Sequence, residues 1–430
     1  MNGISTRKGL FALSPIAVLL LVYVVGSIVA GSFYSIPIAV AFIIAAVYAV
    51  VISRGKSLQE RIDDFSHGAA NSRIMYMIWI FVLAGAFASV AKATGAVDAT
   101  VALTLNLVPV KFLPAGIFVA ACFVSMSVGT SVGTIVALAP IVTALAAQMG
   151  CDVAWLVAIV VGGAFFGDNL SFISDTTIAA TQTQGCSMRS KFRTNFRLVV
   201  PAAIVTLLVY AFSGSGDGEI DVAAVTLHDV IKCLPYLIVI VAALFGINVL
   251  AVLAIGISIA AIIGLAYGSL AWVDVFTRMG EGVTSMSELI VVTMLAGGLL
   301  ELVRINGGLD FLIRIVTARV RSRRGAEAAI CTLTALANIC TANNTIAILT
   351  VGDISRDISH EFKIPARRSA SLMDTASCFV QGVIPYGAQL LMASGLAAVS
   401  PVEIIPHLYY PMAVGIAVVC SIVLTKSTAR

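Results

Sequence analysis

Apolar runs of about 20 residues, each long enough to cross a ~30 Å bilayer core as a helix, follow one another along almost the whole chain. Short polar connections separate them. Residues 10–31, 33–53, 74–95, 196–212, 230–247, 250–268 and 288–305 read as ordinary spans. Their polarity does not alternate, which predicts helices and argues against a transmembrane barrel. The first run follows Arg7 and Lys8 but leads straight into a second span, so it reads as a retained helix and not a signal peptide.

Two stretches, 112–149 and 326–352, are too long for one span and have polar centres. The first centre holds Ser125, Ser127, Gly129, Thr130, Ser131, Gly133 and Thr134; the second holds Asn338, Thr341, Asn343, Asn344 and Thr345. Backbone freed from helix inside a bilayer costs several kcal/mol per group unless protein or a wet cavity receives it. Such strings therefore predict re-entrant hairpins. Residues 153–181 and 370–398 predict single crossings broken midway by polar residues and glycine.

Loop charge orients the spans, because Lys and Arg collect on the cytoplasmic side. Arg54, Lys56, Arg61 and Arg73 form one basic connection, and Arg189, Lys191, Arg193 and Arg197 a second. Arg314, Arg319, Arg321, Arg323 and Arg324 form the densest, and Arg356, Lys363, Arg367 and Arg368 a fourth. Residues 213–229 instead carry Asp217, Glu219, Asp221 and Asp229 with no Lys or Arg. With the basic connections inside and the acidic one outside, the span 74–95 runs outward and the span 288–305 inward.

Those two oppositely directed spans share sequence. Leu83-Ala84-Gly85, Lys92, Gly95 and Asp98 recur as Leu295-Ala296-Gly297, Arg304, Gly307 and Asp310, at a constant offset of 212 (295 − 83 = 212). Thr130 and Thr134 find matches in Thr341 and Thr345 at offset 211, and Asp168 and Ser171 in Asp374 and Ser377 at offset 206. The expected fold is an all-α polytopic membrane protein built from inverted repeats, each with a re-entrant hairpin and a broken helix, the arrangement of secondary transporters. Its expected segments are N-terminal helices 1–73, a first repeat 74–195, connecting helices 196–286, a second repeat 287–398 and a C-terminal helix 399–430.

Composition agrees: 60% of residues are hydrophobic and only 11% charged, against about 25% charged in a soluble domain. Mean hydropathy is +1.04. The net charge of +4 resides in loops, so it points to anionic lipid heads and not to nucleic acid. Eight cysteines form no CxxC, four histidines form no metal pair, and neither GxSxG in context nor HExxH is present. No cofactor and no enzymatic activity are expected. A channel fits inverted repeats with broken helices less well than alternating access does.

The candidate chemistry lies in the polar interruptions. Asp168 and Asp175 stand seven residues apart in an apolar span, which on a continuous helix is one face. A mid-bilayer carboxylate costs roughly 2.5–3.5 kcal/mol on insertion scales, so it is usually paired and usually functional. Carboxylate, hydroxyl, amide and carbonyl oxygens suit Na+, and removal from water lets a proton compete for a carboxylate. Asp168, Asp175 and Asp374 are the expected ionisable Na+ ligands. Thr130, Thr134, Asn169, Ser171, Ser174, Thr176, Asn343, Asn344, Thr345 and Ser377 are the expected neutral groups. A structural salt bridge or a helix cap is the bland alternative for the carboxylates. Lys92, Arg304, Asp98 and Asp310 sit at span ends and read as scaffold, while Glu301 reads either as a pore carboxylate or as a partner for Arg304.

The segment Gly163-Ala164-Phe165-Phe166-Gly167-Asp168-Asn169-Leu170-Ser171, with Ser174, Asp175, Thr176 and Thr177, resembles the characteristic intramembrane segment of NhaC-type sodium/proton antiporters, a branch of the ion transporter superfamily. Asn343-Asn344-Thr345 and residues 374–387 resemble its second-half counterpart, and the likeness covers about residues 74–398. The resemblance implies a mobile transport domain moving against a scaffold like an elevator, usually in a homodimer. Na+/H+ antiport across the cytoplasmic (inner) membrane, with both termini cytoplasmic, is the expected function. Na+- or H+-coupled movement of an amino acid or a small organic carboxylate is the alternative.

Overall fold

The computed structural model describes residues 6–29, 37–53, 55–172, 174–213, 225–245, 247–318 and 320–425. Arg54, Arg319, Asp217, Glu219 and Asp221, used above to orient the loops, lie outside the described residues.

The first half of the chain folds as α1 (Thr6–Val29), α2 (Ile38–Ile52), α3 (Leu58–Ala69), α4 (Ser72–Ala93), α5 (Ala96–Leu107), α6 (Leu113–Val128), α7 (Ser131–Met149), α8 (Val153–Leu170), α9 (Asp175–Gln184) and α10 (Met188–Ser213). The second half begins with α11 (Leu227–Lys232), α12 (Leu234–Leu244), α13 (Val249–Ala266), α14 (Trp272–Ser285), α15 (Ser287–Ile305) and α16 (Gly308–Thr317). It continues with α17 (Arg323–Thr341), α18 (Asn344–Glu361), α19 (Ala366–Gln381), α20 (Ala388–Ala397), the single turn α21 (Pro401–Ile404) and α22 (Tyr409–Val423). Among the described residues seven helices are long and apolar enough to cross a membrane, or up to nine if each of two bent pairs is one span.

The helix order repeats along the entire chain, and so does the packing. α3 lies on α15 as α14 lies on α4, and α2 lies on α15 as α13 lies on α4. α6 packs on α8 as α17 packs on α19; α7 packs on α20 as α18 packs on α9. The first arm of each helix pair thus lies on the interrupted helix of its own half, and the second arm reaches the interrupted helix of the other half. Local chemistry repeats with it. Gly95 and Gly307 precede α5 and α16 at φ 78° and 81°, a left-handed conformation open to glycine. Asp98 and Asp310 occupy the first turns that follow, and Lys92 and Arg304 the last turns of α4 and α15. Each charge complements its helix end, which gives the repeated charges a structural role.

The structure resets the register of the duplication. N-cap residues Thr130 and Asn343 correspond (343 − 130 = 213), as do the first residues of α8 and α19 (366 − 153 = 213) and of α9 and α20 (388 − 175 = 213). At this offset Asp168 is matched by Gln381 and Thr176 by Gln389. The Asp168–Asp374 match at offset 206 is off by seven residues, two helical turns, so Asp374 lies two turns deeper in its helix than Asp168 does in its own.

α8 runs through the centre, with Val157, Ala158, Ile159, Val160 and Val161 fully enclosed. Small residues let its neighbours approach. A Cβ at Gly163 would lie 2.6 Å from Ala121 Cβ and 2.8 Å from Phe118 O, both on α6. Phe123, Ile262 and Ile416 face outward and are more than half exposed, as a lipid-facing surface requires.

Candidate functional site

The turns of both helix pairs and the breaks in both interrupted helices border one cavity of about 450 Å³. The α6–α7 turn passes through Gly129 (φ 73°) and the α17–α18 turn through Ala342 (φ 48°). They bring Thr130 and Ser131 of the first half opposite Asn343, Asn344 and Thr345 of the second. Asp168 enters from the last turn of α8, and Ser174, Asp175 and Thr176 from the start of α9. Gln381 and Gln389 enter from the ends of α19 and α20 that face the second break. Tyr76, Met77 and Ile80 of α4 close one side.

Asp168 is 4% exposed. Its Oδ1 accepts from the backbone N–H of Ser131 at 3.2 Å, the first residue of α7, so the carboxylate caps a helix N-terminus whose dipole favours negative charge. Thr176 and Thr177 hydroxyls donate to Asp168 O, each at 3.4 Å. Asp175 opens α9 and is exposed to the cavity. The break between the end of α8 at Leu170 and the start of α9 at Asp175 therefore separates the two carboxylates onto different helices; they share the cavity and not one helix face. Ser174 Oγ and Thr176 Oγ1 are 2.9 Å apart.

A chain of side-chain contacts crosses between the halves. Gln389 Nε2 donates to Ser131 Oγ at 2.9 Å, and Gln381 Nε2 donates to Gln389 Oε1 and to Ala342 O, both at 3.0 Å. Asn343 Oδ1 accepts from Ile346 N at 3.0 Å, and Asn344 Oδ1 from Thr345 N at 3.1 Å. Since Gln381 stands where the first half has Asp168, the cavity has a carboxylate side and a neutral amide side.

Other expected site residues stand behind the cavity wall. Ser171 Oγ donates to Met126 O at 2.8 Å, tying the break of α8–α9 to α6. Thr134 donates to Thr130 O within its own helix, and Ser377 to Asp374 O. Asn169 Nδ2 donates to Phe165 O and to the hydroxyl of Tyr410.

Asp374 is fully buried and does not border the cavity. Its Oδ2 lies 2.7 Å from Lys191 Nζ and accepts from Asn195 Nδ2 at 2.8 Å. This is the salt bridge that the bland reading anticipated. Lys191 belongs to a cluster placed in a cytoplasmic loop from sequence, yet that cluster forms the first turns of α10. Lys191, Asn195, Leu198, Val199 and Ala202 face inward, whereas Arg189, Arg193 and Arg197 face outward. The i, i+4 spacing of Lys191 and Asn195 carried that signal. Glu301 pairs with Arg304, its Oε2 accepting from Arg304 Nε at 2.8 Å, beside a second cavity of about 320 Å³ that shares Met77, Asn343 and Ala388 with the first. Among the described residues no three of His, Cys, Asp or Glu are grouped to hold a metal ion.

The sequence pattern of the Na+/H+ antiporter family matches residues 8–215 and 220–426, stretches that coincide with the two halves of the duplicated helix order. The chain belongs to the Na+/H+ antiporter family. It is 22% identical over 410 residues to the Na+/H+ antiporter NhaC of Alkalihalophilus pseudofirmus, covering 87% of each chain. It is 23% identical over 426 residues to the malate-2H+/Na+-lactate antiporter of Bacillus subtilis, covering 90% of this chain and 89% of that one. Among solved structures it resembles the Alcanivorax borkumensis YdaH transporter with a TM-score of 0.41 and 14% identity, over 84% of this chain and 86% of that one. This member of the Na+/H+ antiporter family is a multi-pass, all-helical membrane transporter, not an enzyme. Ser131, Gln381 and Gln389 are cavity residues that sequence reasoning left out of the site, because amides and hydroxyls beside apolar residues also serve helix packing.

Proposed function

We propose that this protein exchanges Na+ for H+ across the cytoplasmic membrane by alternating access. The observation that carries the reading is Asp168, a buried carboxylate at the meeting point of both turns and both breaks, facing neutral oxygens from the other half. Na+ is held by Asp168 and Asp175 with oxygens of Thr130, Ser174, Thr176, Asn343, Asn344 and Thr345. Asn169, Ser171, Thr134 and Ser377 position those ligands from behind. Asp374, held by Lys191, supplies a fixed charge pair at the crossing of α8, α10 and α19. A proton and Na+ compete for the same carboxylates, and either neutralises the site enough for it to move through a low-dielectric barrier.

In this reading the helix pairs are re-entrant, the halves lie inverted in the membrane, and both termini are cytoplasmic. The group α6–α10 with α17–α20 and α22 slides against a scaffold of α1–α4 and α12–α15, within a homodimer, as an elevator. Each of these groups packs more extensively within itself than against the other, which supports that division. The test is Na+-driven proton movement in proteoliposomes, followed with an internal pH dye; its absence in a well-folded preparation sinks the reading.

A second reading draws on cavity size. A space of about 450 Å³ exceeds the ~30 Å³ share of a single water many-fold, and the Bacillus subtilis relative is named for malate and lactate. Here Na+ or H+ drives an amino acid or a small organic carboxylate held between the amide side and the turn N-termini. A thermal-shift panel of hydroxy acids, dicarboxylates and amino acids with and without Na+ separates the readings. Stabilisation by an organic anion only when Na+ is present favours this one.

A further inference from the structure

Lys191 is 1% exposed and sits behind the cavity, where its ammonium is received by three oxygens of different kinds. Nζ donates to Asn169 O at 3.0 Å and to Thr177 Oγ1 at 2.7 Å, and it lies 2.7 Å from Asp374 Oδ2. Asn169 O belongs to the carbonyl end of α8, which the break exposes, so it carries the negative end of the helix dipole. A backbone carbonyl at a helix break, a hydroxyl and a carboxylate are also what a hard alkali cation takes as ligands.

The ammonium does not exhaust this set. It has three N–H donors, and all three acceptors are accounted for. Yet Asn169 Oδ1, Asn195 Oδ1 and Asp374 Oδ1 are buried without any hydrogen-bond partner. Buried acceptors left unpaired are uncommon and call for an explanation. Asn195 Nδ2 bridges Asn169 O and Asp374 Oδ2 at 2.9 and 2.8 Å, so the orphaned oxygens belong to residues already drawn together around one positive charge. A three-donor ammonium serves three oxygens, whereas a spherical ion can serve more.

We propose that Lys191 is a built-in cation, its ammonium filling an alkali-cation position formed by Asn169, Thr177, Asn195 and Asp374, so that the protein loads one ion fewer from solution than its oxygen clusters could hold. The cavity cluster around Asp168 takes the exchangeable ion; the inner cluster carries a tethered one that travels with the chain and never leaves. Lys191 in this way sets the number of ions moved per cycle without touching the transported ion. The inference is independent of which ion or anion the cavity carries, because it concerns the second cluster alone.

Equilibrium binding of radiolabelled Na+ to the purified full chain tests it, comparing wild type, Lys191→Met and the double variant Lys191→Met/Asp374→Asn. The expected result is one more Na+ bound per chain in Lys191→Met than in wild type, and a return to the wild-type number in the double variant. Equal binding by wild type and folded Lys191→Met overturns the proposal. If Lys191→Met is unstable, its yield and melting temperature in NaCl against choline chloride decide the matter. Rescue by Na+ but not choline, absent from the double variant, supports a cation position. Failure to fold in both salts while the double variant folds overturns it. Absence of Na+ binding by wild type would count against the proposed antiport, while the difference between variants would still read the inner cluster.

Discussion

Gln389 Nε2 donates to Ser131 Oγ at 2.9 Å across 258 residues of sequence, joining the second half's interrupted helix to the first half's turn. Ser131 in turn gives its backbone N–H to Asp168. A second-half amide therefore helps fix the position of a first-half carboxylate. Gln389→Ala removes a buried partner, which costs ~1–3 kcal/mol when the group left behind stays unpaired. The expected outcome is a lower melting temperature together with a raised half-saturating Na+ concentration. Liposome flux at graded Na+ reads the second effect; an unchanged Na+ dependence would detach Gln389 from the site.

Asp168→Asn keeps the shape of the side chain and keeps an oxygen able to accept from Ser131 N–H. The fold should be retained, because packing and the hydrogen bond from Ser131 N–H are kept, while Na+-driven proton movement is lost because an amide exchanges no proton. Asp175→Asn, at a residue exposed to the cavity, should weaken Na+ dependence while retaining residual flux. Full exchange after Asp168→Asn would remove this carboxylate from the mechanism.

Much of this arrangement was legible from hydrophobicity alone, and the failures have definite causes. Polar strings within apolar stretches located both turns, since backbone leaving a helix inside a membrane needs polar company. α3 was hidden in a basic connection; its Ser57–Glu60 capping box was the available signal. α14 fell among the connecting helices, and the far end of α18 lay beyond the expected hairpin limit of 352, because Asp353, Arg356 and Asp357 make that end polar. The Asp and Ser that recur at offset 206 mislead on register, whereas the starts of α7, α8 and α9 and those of α18, α19 and α20 keep a common spacing of 213. A count of basic residues does not distinguish Lys191 from Arg189, Arg193 and Arg197; its place on the inward face of α10 does.

Gly163 faces α6 so closely that an added methyl would meet Phe118 O at 2.8 Å, and a backbone oxygen cannot turn aside. Gly163→Ala should destabilise by ~1–3 kcal/mol, the usual cost of overpacking. Gly116, on α6 itself, has open space where a Cβ would go. Gly116→Ala should instead leave stability unchanged or raise it by ~0.5–1 kcal/mol through helix propensity. Thermal unfolding of both variants in the same detergent checks the contrast; equal effects would mean that the α6–α8 approach is looser than described.

Glu327 of α17 is fully buried and serves three elements at once. Its Oε2 accepts from Arg368 Nη2 of α19 at 2.9 Å and from Thr425 Oγ1 after α22 at 3.1 Å, while Arg323 Nε stays 3.7 Å from Oε1. Removing one member of a buried pair leaves an uncompensated charge and costs ~3–5 kcal/mol, so Glu327→Ala should lower the melting temperature sharply. Replacing both partners, Glu327→Leu with Arg368→Met, should recover most of that loss, because the desolvation of both charges disappears with them. The exposed Lys56–Asp64 pair is the contrast: Lys56→Ala should change stability by ~0–1 kcal/mol. A double-mutant cycle at Glu327 and Arg368, run at low and high salt, distinguishes the cases. Coupling that survives high salt marks the buried pair, and coupling that vanishes would place Glu327 in water.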